Sequence, residues 1–320
     1  MTAESSPPWA GQDRRCAGLD RPADLDRPAD LEPRLASPDR RAAGPDRRLA
    51  GLERRLAGLG SVLVAFSGGA DSAFLLAAAA RALGPDSVVA ATAVSPSLPA
   101  AELATAATFA AGLGVRHEAP RTDELARPGY AANGGDRCYF CKAELLEVLR
   151  PLADRLGIPH IATGTNADDA VAGFRPGIRA AAERGALTPL RDAALTKAEI
   201  RAASMSWGLP TWDKPAAACL SSRIAYGLQI TPARLARVER AERALRERLT
   251  GAGYAVRNLR VRDLGDSGAR VEVDAELVPV LAGHPDLLTA VAGFAAVTVD
   301  ERGFRSGSMN ELLTTPERYR

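Results

Sequence analysis

Three thiols and one glycine-rich loop carry most of the chemistry that the residues can propose. Cys138-Tyr139-Phe140-Cys141 spaces two cysteines as metal ligands or a redox pair are spaced, and Cys219 stands alone in Lys214-Pro215-Ala216-Ala217-Ala218-Cys219-Leu220-Ser221-Ser222-Arg223-Ile224. With Cys16 these are the only four cysteines in 320 residues, too few for a disulfide scaffold. Nothing around the pair reads as a thioredoxin motif, and a structural zinc would need a fourth ligand from His117, His160 or His284. Ser67-Gly68-Gly69-Ala70-Asp71-Ser72 follows an apolar run and opens a helical pattern. Glycines there let the backbone approach an anion, and a helix start presents free N–H groups, so the segment is a nest for a polyphosphate. It is neither a Walker loop, because no Gly-Lys-Ser/Thr follows, nor a dinucleotide Gly-x-Gly-x-x-Gly loop.

These residues need a scaffold, and the flanking sequence supplies one. Val62–Phe66, Ser87–Val94, Val115–Ala119 and His160–Thr163 read as strands. Ser72–Leu83, Pro99–Gly112 and about Lys142–Leu149 read as the helices between them. Alternation of this kind implies an α/β fold, a parallel doubly wound sheet whose ligands bind at the carboxyl ends of the strands. After Pro189 the grammar changes. Thr196-Lys197-Ala198-Glu199 is a capping-box start for a helix to about Trp207, and Thr231-Pro232 opens a long Arg/Glu-rich helix ending before Gly251. Tyr254–Leu264 and Ala269–Ala275 then alternate as strands around Gly265-Asp266-Ser267-Gly268. The expected organisation is an Arg/Asp/Pro/Ala-rich disordered extension over 1–50, with a helix from Arg47 to Gly58, a nucleotide domain over 51–224 and a smaller C-terminal α+β domain over 225–320.

Composition narrows the function. Lys+Arg 41 against Asp+Glu 39 gives a net charge of +2, and aromatics are 5%, which argues against a nucleic-acid surface. No apolar run is long enough to span a bilayer and no signal peptide is visible, so a cytoplasmic protein without membrane partners is expected. Only three of the 41 basic residues are lysines, Lys142, Lys197 and Lys214. Near residue 260, Arg260 and Arg262 alternate with Leu259 and Val261, and Glu272 and Asp274 alternate with Val271 and Val273 on the next strand. Taken alone, such faces are cross-strand salt bridges.

Ser-Gly-Gly-x-Asp-Ser resembles the PP-loop of the N-type ATP pyrophosphatases, which adenylate a carbonyl or carboxyl oxygen and release pyrophosphate. The two cysteine blocks together with Phe304-Arg305-Ser306-Gly307-Ser308-Met309-Asn310 make the chain, from about residue 51 to 312, resemble more narrowly the LarE family of ATP-dependent sulfur transferases. The resemblance implies that Ser67, Gly68, Gly69 and Ser72 hold the pyrophosphate end of ATP and that Asp71 positions Mg2+. Gly164 and Asn166, in Thr163-Gly164-Thr165-Asn166-Ala167-Asp168-Asp169, match the second nucleotide-side segment, although Asp168 and Asp169 also suit simple helix capping. It implies a small-molecule substrate, pyridinium-3,5-biscarboxylic acid mononucleotide, whose carboxylates are adenylated and converted to thiocarboxylates for a nickel-pincer cofactor. Cys219 matches the sulfur-donating cysteine, which in single-cysteine members is left as dehydroalanine. This chain departs from those members, and Cys138, Cys141 and Cys219 are expected to hold a 4Fe-4S cluster as in the cluster-dependent branch. The comparison further implies that Lys142, Arg260, Arg262 and Arg305 bind the substrate phosphate, that Glu272 and Asp274 lie at a divalent-metal site, and that the protein is a homo-oligomer. It names no sulfide source. The rival readings are a PP-loop tRNA thiolase and a non-catalytic nucleotide- or cluster-binding sensor.

Overall fold

In the computed structural model, which describes residues 44–171, 175–215, 218–305 and 307–312, a proline in the first turn opens helix α1 (Pro45–Ala57), whose Leu52 and Leu56 are buried. The extension before residue 44, with Cys16, lies outside the described residues, as do Ala216, Ala217 and Ser306 of the motifs. Next come β1 (Val62–Ala65), α2 (Ala70–Leu83), β2 (Val88–Ala91), α3 (Ala100–Gly112) and β3 (Arg116–Glu118). A short α4 (Pro128–Ala131) and a long α5 (Arg137–Arg155) then lead to β4 (Ile161–Thr163).

The four strands form one parallel sheet in the order β3-β2-β1-β4, with Val62 opposite Val88 and Leu63 opposite Ile161. All four residues of β1 are buried because helices cover both faces of the sheet. Val62 and Val64 pack with Phe74 and Phe109 of α2 and α3, while Leu63 and Ala65 pack with Leu146 and Leu149 of α5. This is the expected α/β sheet. Its strand order reverses between β1 and β4, which puts the ligand crevice beyond the carboxyl ends of those two strands.

One expectation changes materially. The helix expected from about Lys142 to Leu149 starts at Arg137 and runs through Pro151 to Arg155, so Cys138 and Cys141 are its second and fifth residues. Proline inside a helix normally argues for a stop. Here burial of Leu149, Leu152 and Ala153 against the sheet carries the helix past it.

Beyond β4 run α6 (Ala167–Val171), α7 (Pro176–Glu183), α8 (Pro189–Asp192) and α9 (Lys197–Ser206). Thr196 and Glu199 form the expected capping box of α9. Helix α10 (Pro232–Gly251) is capped by Thr231, whose hydroxyl accepts from the Arg234 N–H. It packs through Leu245 and Leu249 on Leu259, Val261 and Val271 of antiparallel β5 (Leu259–Asp263) and β6 (Ala269–Val273). After α11 (Val278–Gly283), a third strand absent from the sequence reading, β7 (Val297–Val299), pairs parallel with β6. Three residues of partial burial leave too little pattern to announce it. Tyr130, Leu220, Ile224, Leu235 and Val238 form a further cluster that joins the sheet region to α10. No helix among the described residues is long and apolar enough to cross a membrane.

Candidate active site

β1 hands the chain to Ser67, and the turn into α2 needs Gly68 at φ +69°, a left-handed conformation that glycine adopts without strain. No side chain caps α2, so its first N–H groups keep their unsatisfied donors and their share of the helix dipole for an anion. The Ser67 and Ser72 hydroxyls lie 3.1 Å apart, and Ser72 Oγ donates to the Gly69 carbonyl at 3.1 Å, which fixes the loop. Lys214 Nζ donates to the Gly68 carbonyl at 3.0 Å and pairs with Glu102 at 2.7 Å. A cation from the Cys219 segment is thereby held at the phosphate loop.

The exit from β4 lies directly on this turn. A Cβ at Gly164 would fall 2.8 Å from the Ser72 nitrogen, so only glycine permits the approach. Asn166 is buried, and its side-chain oxygen accepts from the Asp169 N–H at 3.0 Å, while its own N–H donates to Asp169 at 3.3 Å. Asp168 accepts from the Lys197 N–H at 2.7 Å. Asp169 thus serves as a local cap, whereas Asp168 reaches the first residue of α9, 29 positions on. Burial pushes the Asp71 carboxyl above its ordinary range, Asp169 adds to this, and Lys197, Asn166 and Arg201 oppose it. Asp71 Oδ1 is buried without a hydrogen-bond partner. An orphaned carboxylate oxygen at the mouth of a polyphosphate nest fits a Mg2+ ligand, because a hard cation satisfies the oxygen and brings phosphate with it.

On the other side of the crevice, Cys138 and Cys141 stand three residues apart on α5 and share one helical face. Cys219 precedes a short turn at Leu220–Arg223 whose anchors include the Leu220 N–H on the Ser97 carbonyl at 2.9 Å and Tyr130 Oη against Ser221 Oγ at 2.6 Å. All three thiols are free. Burial pushes the Cys141 thiol up, and Cys219, Glu124 and Cys138 add to it. Burial raises Cys138 as well, against the opposing charge of Arg137. The Cys138 residue is nonetheless exposed at the surface.

Arg137 is buried between them. It donates to Asn133 Oδ1 at 2.5 Å and to the Ser221 carbonyl at 3.0 Å, and lies over the Tyr226 ring at 4.9 Å. Burial opposes its charge, but Cys219, Cys138, Tyr226 and Tyr130 together hold its pKa above the ordinary value. Among the described residues no three His, Cys, Asp or Glu side chains converge closely enough for one metal ion. A four-iron cluster asks for something else, thiolates spread around a recess with one on each bound iron. Cys141 and Cys219 line one cavity and Cys138 stands outside that lining, while all three thiols act on one another and Cys138 and Cys219 on the buried Arg137 guanidinium, so the three are the neighbouring thiols that could serve such a cluster.

A cavity of about 370 Å³ joins the two sides. Ser67 and Lys214 line it at the phosphate loop, Cys141 and Cys219 at the thiols, and Arg223, Arg246, Arg257 and Arg260 along the wall supplied by the C-terminal region. The Arg260 guanidinium is pushed down to about 10 by burial and by Arg223, with Arg262 and Arg246 adding and Glu242 opposing. Such crowding of cations favours an anion between them. A more open depression of about 640 Å³, at Ser61, Asp86 and Arg116, lies at the opposite, amino ends of the strands.

The expected phosphate ligands separate in the structure. Arg260 faces the cavity. Arg262 is instead locked to buried Glu272 at 2.6 Å and to the Ser308 hydroxyl at 3.1 Å. Arg305 pairs with Glu311 and Asp300, outside the cavity lining. Lys142 lies beside Cys141 and Cys138 and is also absent from that lining, with burial lowering its pKa. The carboxylates expected at a divalent metal are engaged otherwise. Glu272 is fully buried against Arg262, Arg270 and Ser308, and Asp274 accepts from the N–H groups of Arg257 and Asn258 at 2.7 and 2.8 Å. The cross-strand alternation is spent on structure. Arg246, Arg257, Arg137 and Glu124 are the additional residues that the structure brings to the site. Arg246 sits in an Arg/Glu-rich helix whose pattern marks no single position, and only the Asp136-Arg137-Cys138 context could have signalled Arg137.

No protein-family model matches the chain. It is 44% identical over 257 residues to an uncharacterised protein of Synechocystis, covering 79% of this chain and 92% of that one. An uncharacterised protein of Methanocaldococcus jannaschii is 28% identical over 178 residues, 54% of this chain and 66% of its own length. The pyridinium-3,5-bisthiocarboxylic acid mononucleotide synthase of Lactiplantibacillus plantarum is 34% identical over 256 residues, 79% of this chain and 90% of the synthase. With that identity over nearly the whole relative, joined to a phosphate loop and Cys219 that meet at one cavity, the chain belongs to the family of the pyridinium-3,5-bisthiocarboxylic acid mononucleotide synthases, the LarE family.

Proposed function

We propose that the protein is an ATP-dependent sulfur transferase that adenylates the carboxylates of pyridinium-3,5-biscarboxylic acid mononucleotide and converts them to thiocarboxylates, within the cluster-dependent branch of its family. The observation that carries this reading is the single cavity that reaches Ser67 and Lys214 at one end and Cys141 and Cys219 at the other. An acyl adenylate formed at the loop would meet a sulfur nucleophile without leaving the site.

In this reading, the free N–H groups of α2 and the Ser67 and Ser72 hydroxyls bind the leaving pyrophosphate, and Asp71 Oδ1 and Lys214 supply Mg2+ ligation and positive charge. A substrate carboxylate oxygen attacks the α-phosphorus of ATP, the bond to pyrophosphate breaks, and an acyl adenylate forms. Sulfur then attacks the acyl carbon, the carbon–oxygen bond to AMP breaks, and AMP leaves with the electron pair. A 4Fe-4S cluster held by Cys138, Cys141 and Cys219 would supply a place for an exchangeable sulfide. Arg137 places a fixed positive charge beside the thiols, and Arg260 and Arg246 face the substrate phosphate, with Arg223 held by Glu242 and the Cys219 carbonyl. Residues 51–224 would then serve as the ATP-handling unit and the segment from 225 onward as the phosphate-binding wall.

The test uses anaerobically reconstituted protein with Mg·ATP, sulfide and the biscarboxylate substrate. AMP and pyrophosphate release, with one oxygen-to-sulfur exchange per carboxylate in the product mass, is expected. Absence of AMP and pyrophosphate would overturn it in favour of the sensor reading. Cys138→Ala and Cys141→Ala should each lose most bound iron while ATP binding persists. Retained sulfur transfer without iron, with Cys219 converted to dehydroalanine, would instead assign a single-use donor.

A further inference from the structure

Glu124 plays no part in the reaction described above, yet it is a carboxylate on the cavity wall and only 3% exposed. Three hydroxyls aim at it. Ser95 Oγ donates at 2.5 Å and Ser97 Oγ donates more closely still, both to Oε1, while Thr122 Oγ1 donates to Oε2 at 3.1 Å. A carboxylate surrounded by donors is built to be an acceptor, and hydroxyls orient it without cancelling its charge. Among the described residues no lysine, arginine or histidine forms an ion pair with Glu124, although arginines pair with acids throughout the rest of the chain. The C-terminal wall of the same cavity carries Arg223, Arg246, Arg257 and Arg260. Of the two carboxylates on the lining, Glu102 is paired with Lys214, so Glu124 is the one without a cation among the described residues, and of the arginines Arg223 and Arg257 are paired with Glu242 and Asp213 while Arg246 and Arg260 complete the positive part of the lining. A buried charge left without its counterion is costly, and a ligand that brings the counterion recovers that cost.

We propose that Glu124, held by Ser95, Ser97 and Thr122, is the subsite for the cationic ring of the substrate, so that the site selects a zwitterionic ligand whose positive heteroaromatic ring binds at Glu124 and whose anionic phosphate binds at the arginines of the same cavity. The proposal rests on the reading of the substrate as a pyridinium mononucleotide and adds the residue that selects the charge of its ring. The arginine wall alone would bind any phosphorylated dicarboxylate. Glu124 is what favours a ring bearing a permanent positive charge.

The experiment measures binding of two ligands to the ATP-free full chain by calorimetry. One is the pyridinium-3,5-biscarboxylic acid mononucleotide, and the other is its neutral isostere, in which a ring carbon replaces the charged nitrogen and the ribose is carbon-linked. Wild type should prefer the cation by about 10- to 100-fold, the range of a buried charge-assisted contact. Glu124→Gln, isosteric and able to keep the hydroxyl contacts, should bring the two affinities within about threefold of each other, chiefly by weakening the cation. Glu124→Asp, which retains the charge, should keep part of the preference. If wild type binds neither ligand, the substrate reading fails. If it binds both equally, or if Glu124→Gln preserves the preference, the proposal is overturned while the substrate reading stands. A Gln variant that does not fold leaves the wild-type preference and its partial retention in Glu124→Asp to decide, and a Glu124→Asp preference no smaller than that of wild type would then count against a charge placed at this position.

Discussion

The two ends of the cavity are made of different material. At the nucleotide end, the groups that face a ligand are mainly backbone: the uncapped first turn of α2, the left-handed Gly68 and the bare Gly164 pressed on Ser72. At the sulfur and substrate end they are side chains from α5, the Cys219 turn, α10 and β5. A backbone nest is specified by a few neighbouring residues and tolerates little change. A side-chain wall is assembled from distant segments, so its members can be lost one at a time with graded effects.

The largest effect is expected at the one side chain that the backbone end depends on. Asp71→Asn removes the charge at the orphaned oxygen, and adenylation should fall about 10²- to 10³-fold, as when an electrostatic transition-state contact is deleted, with iron content unchanged. The same variant makes a second, opposite prediction. Burial holds the Asp71 carboxyl above its ordinary range, so the folded, ligand-free protein holds this proton more tightly than the unfolded chain. Its contribution to stability is therefore present at low pH and is lost as pH rises from the ordinary carboxylate range through the raised folded value. Ligand-free Asp71→Asn should melt above wild type at neutral pH, and the gap should close in acid. A variant that melts lower at neutral pH would show that the carboxylate is compensated by a contact other than a ligand.

Gly164→Val tests the backbone itself. The added atoms meet Ser72 N at 2.8 Å and the Ser72 Cα at 2.9 Å, and displacing the loop by a fraction of an ångström should lower adenylation about 10²-fold while cluster content and substrate binding persist. Equal losses at both ends of the cavity would erase the distinction drawn above.

The side-chain wall should respond more gently and with more discrimination. Arg260→Gln should raise the KM for the mononucleotide about 10- to 100-fold, the range for a charged hydrogen bond to phosphate, with ATP parameters little changed. Arg305→Gln should leave that KM within about twofold, because exposed pairs such as Arg305 with Glu311 contribute little. Comparison of motifs placed both arginines on the phosphate, whereas the structure puts only Arg260 at the cavity. A large effect at Arg305 would show that the C-terminal segment rearranges when substrate binds.

The same division explains what could be read in the sequence. The parallel sheet, the phosphate loop and the capping box of α9 are local, and periodicity, glycine spacing or a Thr-x-x-Glu pattern announces them. Gly164 was legible as part of a motif, but its reason, contact with Ser72 across the sheet, was not. Arg246 and Glu124 carry no local mark: one is an arginine in an arginine-rich helix, and the other follows an ordinary Asp cap whose side chain accepts from Ala126. Glu272 and Asp274 show the converse. Their alternation is visible, yet the packing that brings Arg262, Arg270 and Ser308 to the Glu272 carboxylate is not.

The smallest effect concerns the support beneath Cys219. Tyr130 is 1% exposed, and its hydroxyl meets that of Ser221, two residues beyond the cysteine, at 2.6 Å. Burial raises the Tyr130 phenol, with Cys219 and Cys141 adding to it, so the group stays protonated and acts as a neutral clamp. Tyr130→Phe keeps the ring in the cluster with Leu220 and Leu235 and removes one buried hydrogen bond, at a cost of about 1 kcal/mol and a melting shift of about 2 °C. Adenylation should be unchanged, since no atom of the phosphate loop depends on this contact, while sulfur transfer should fall by severalfold as the Cys219 turn loses one of its anchors. A fall in adenylation of the same size would mean that the two ends of the cavity are mechanically coupled through α5, and that the backbone nest is held in shape by the side-chain wall.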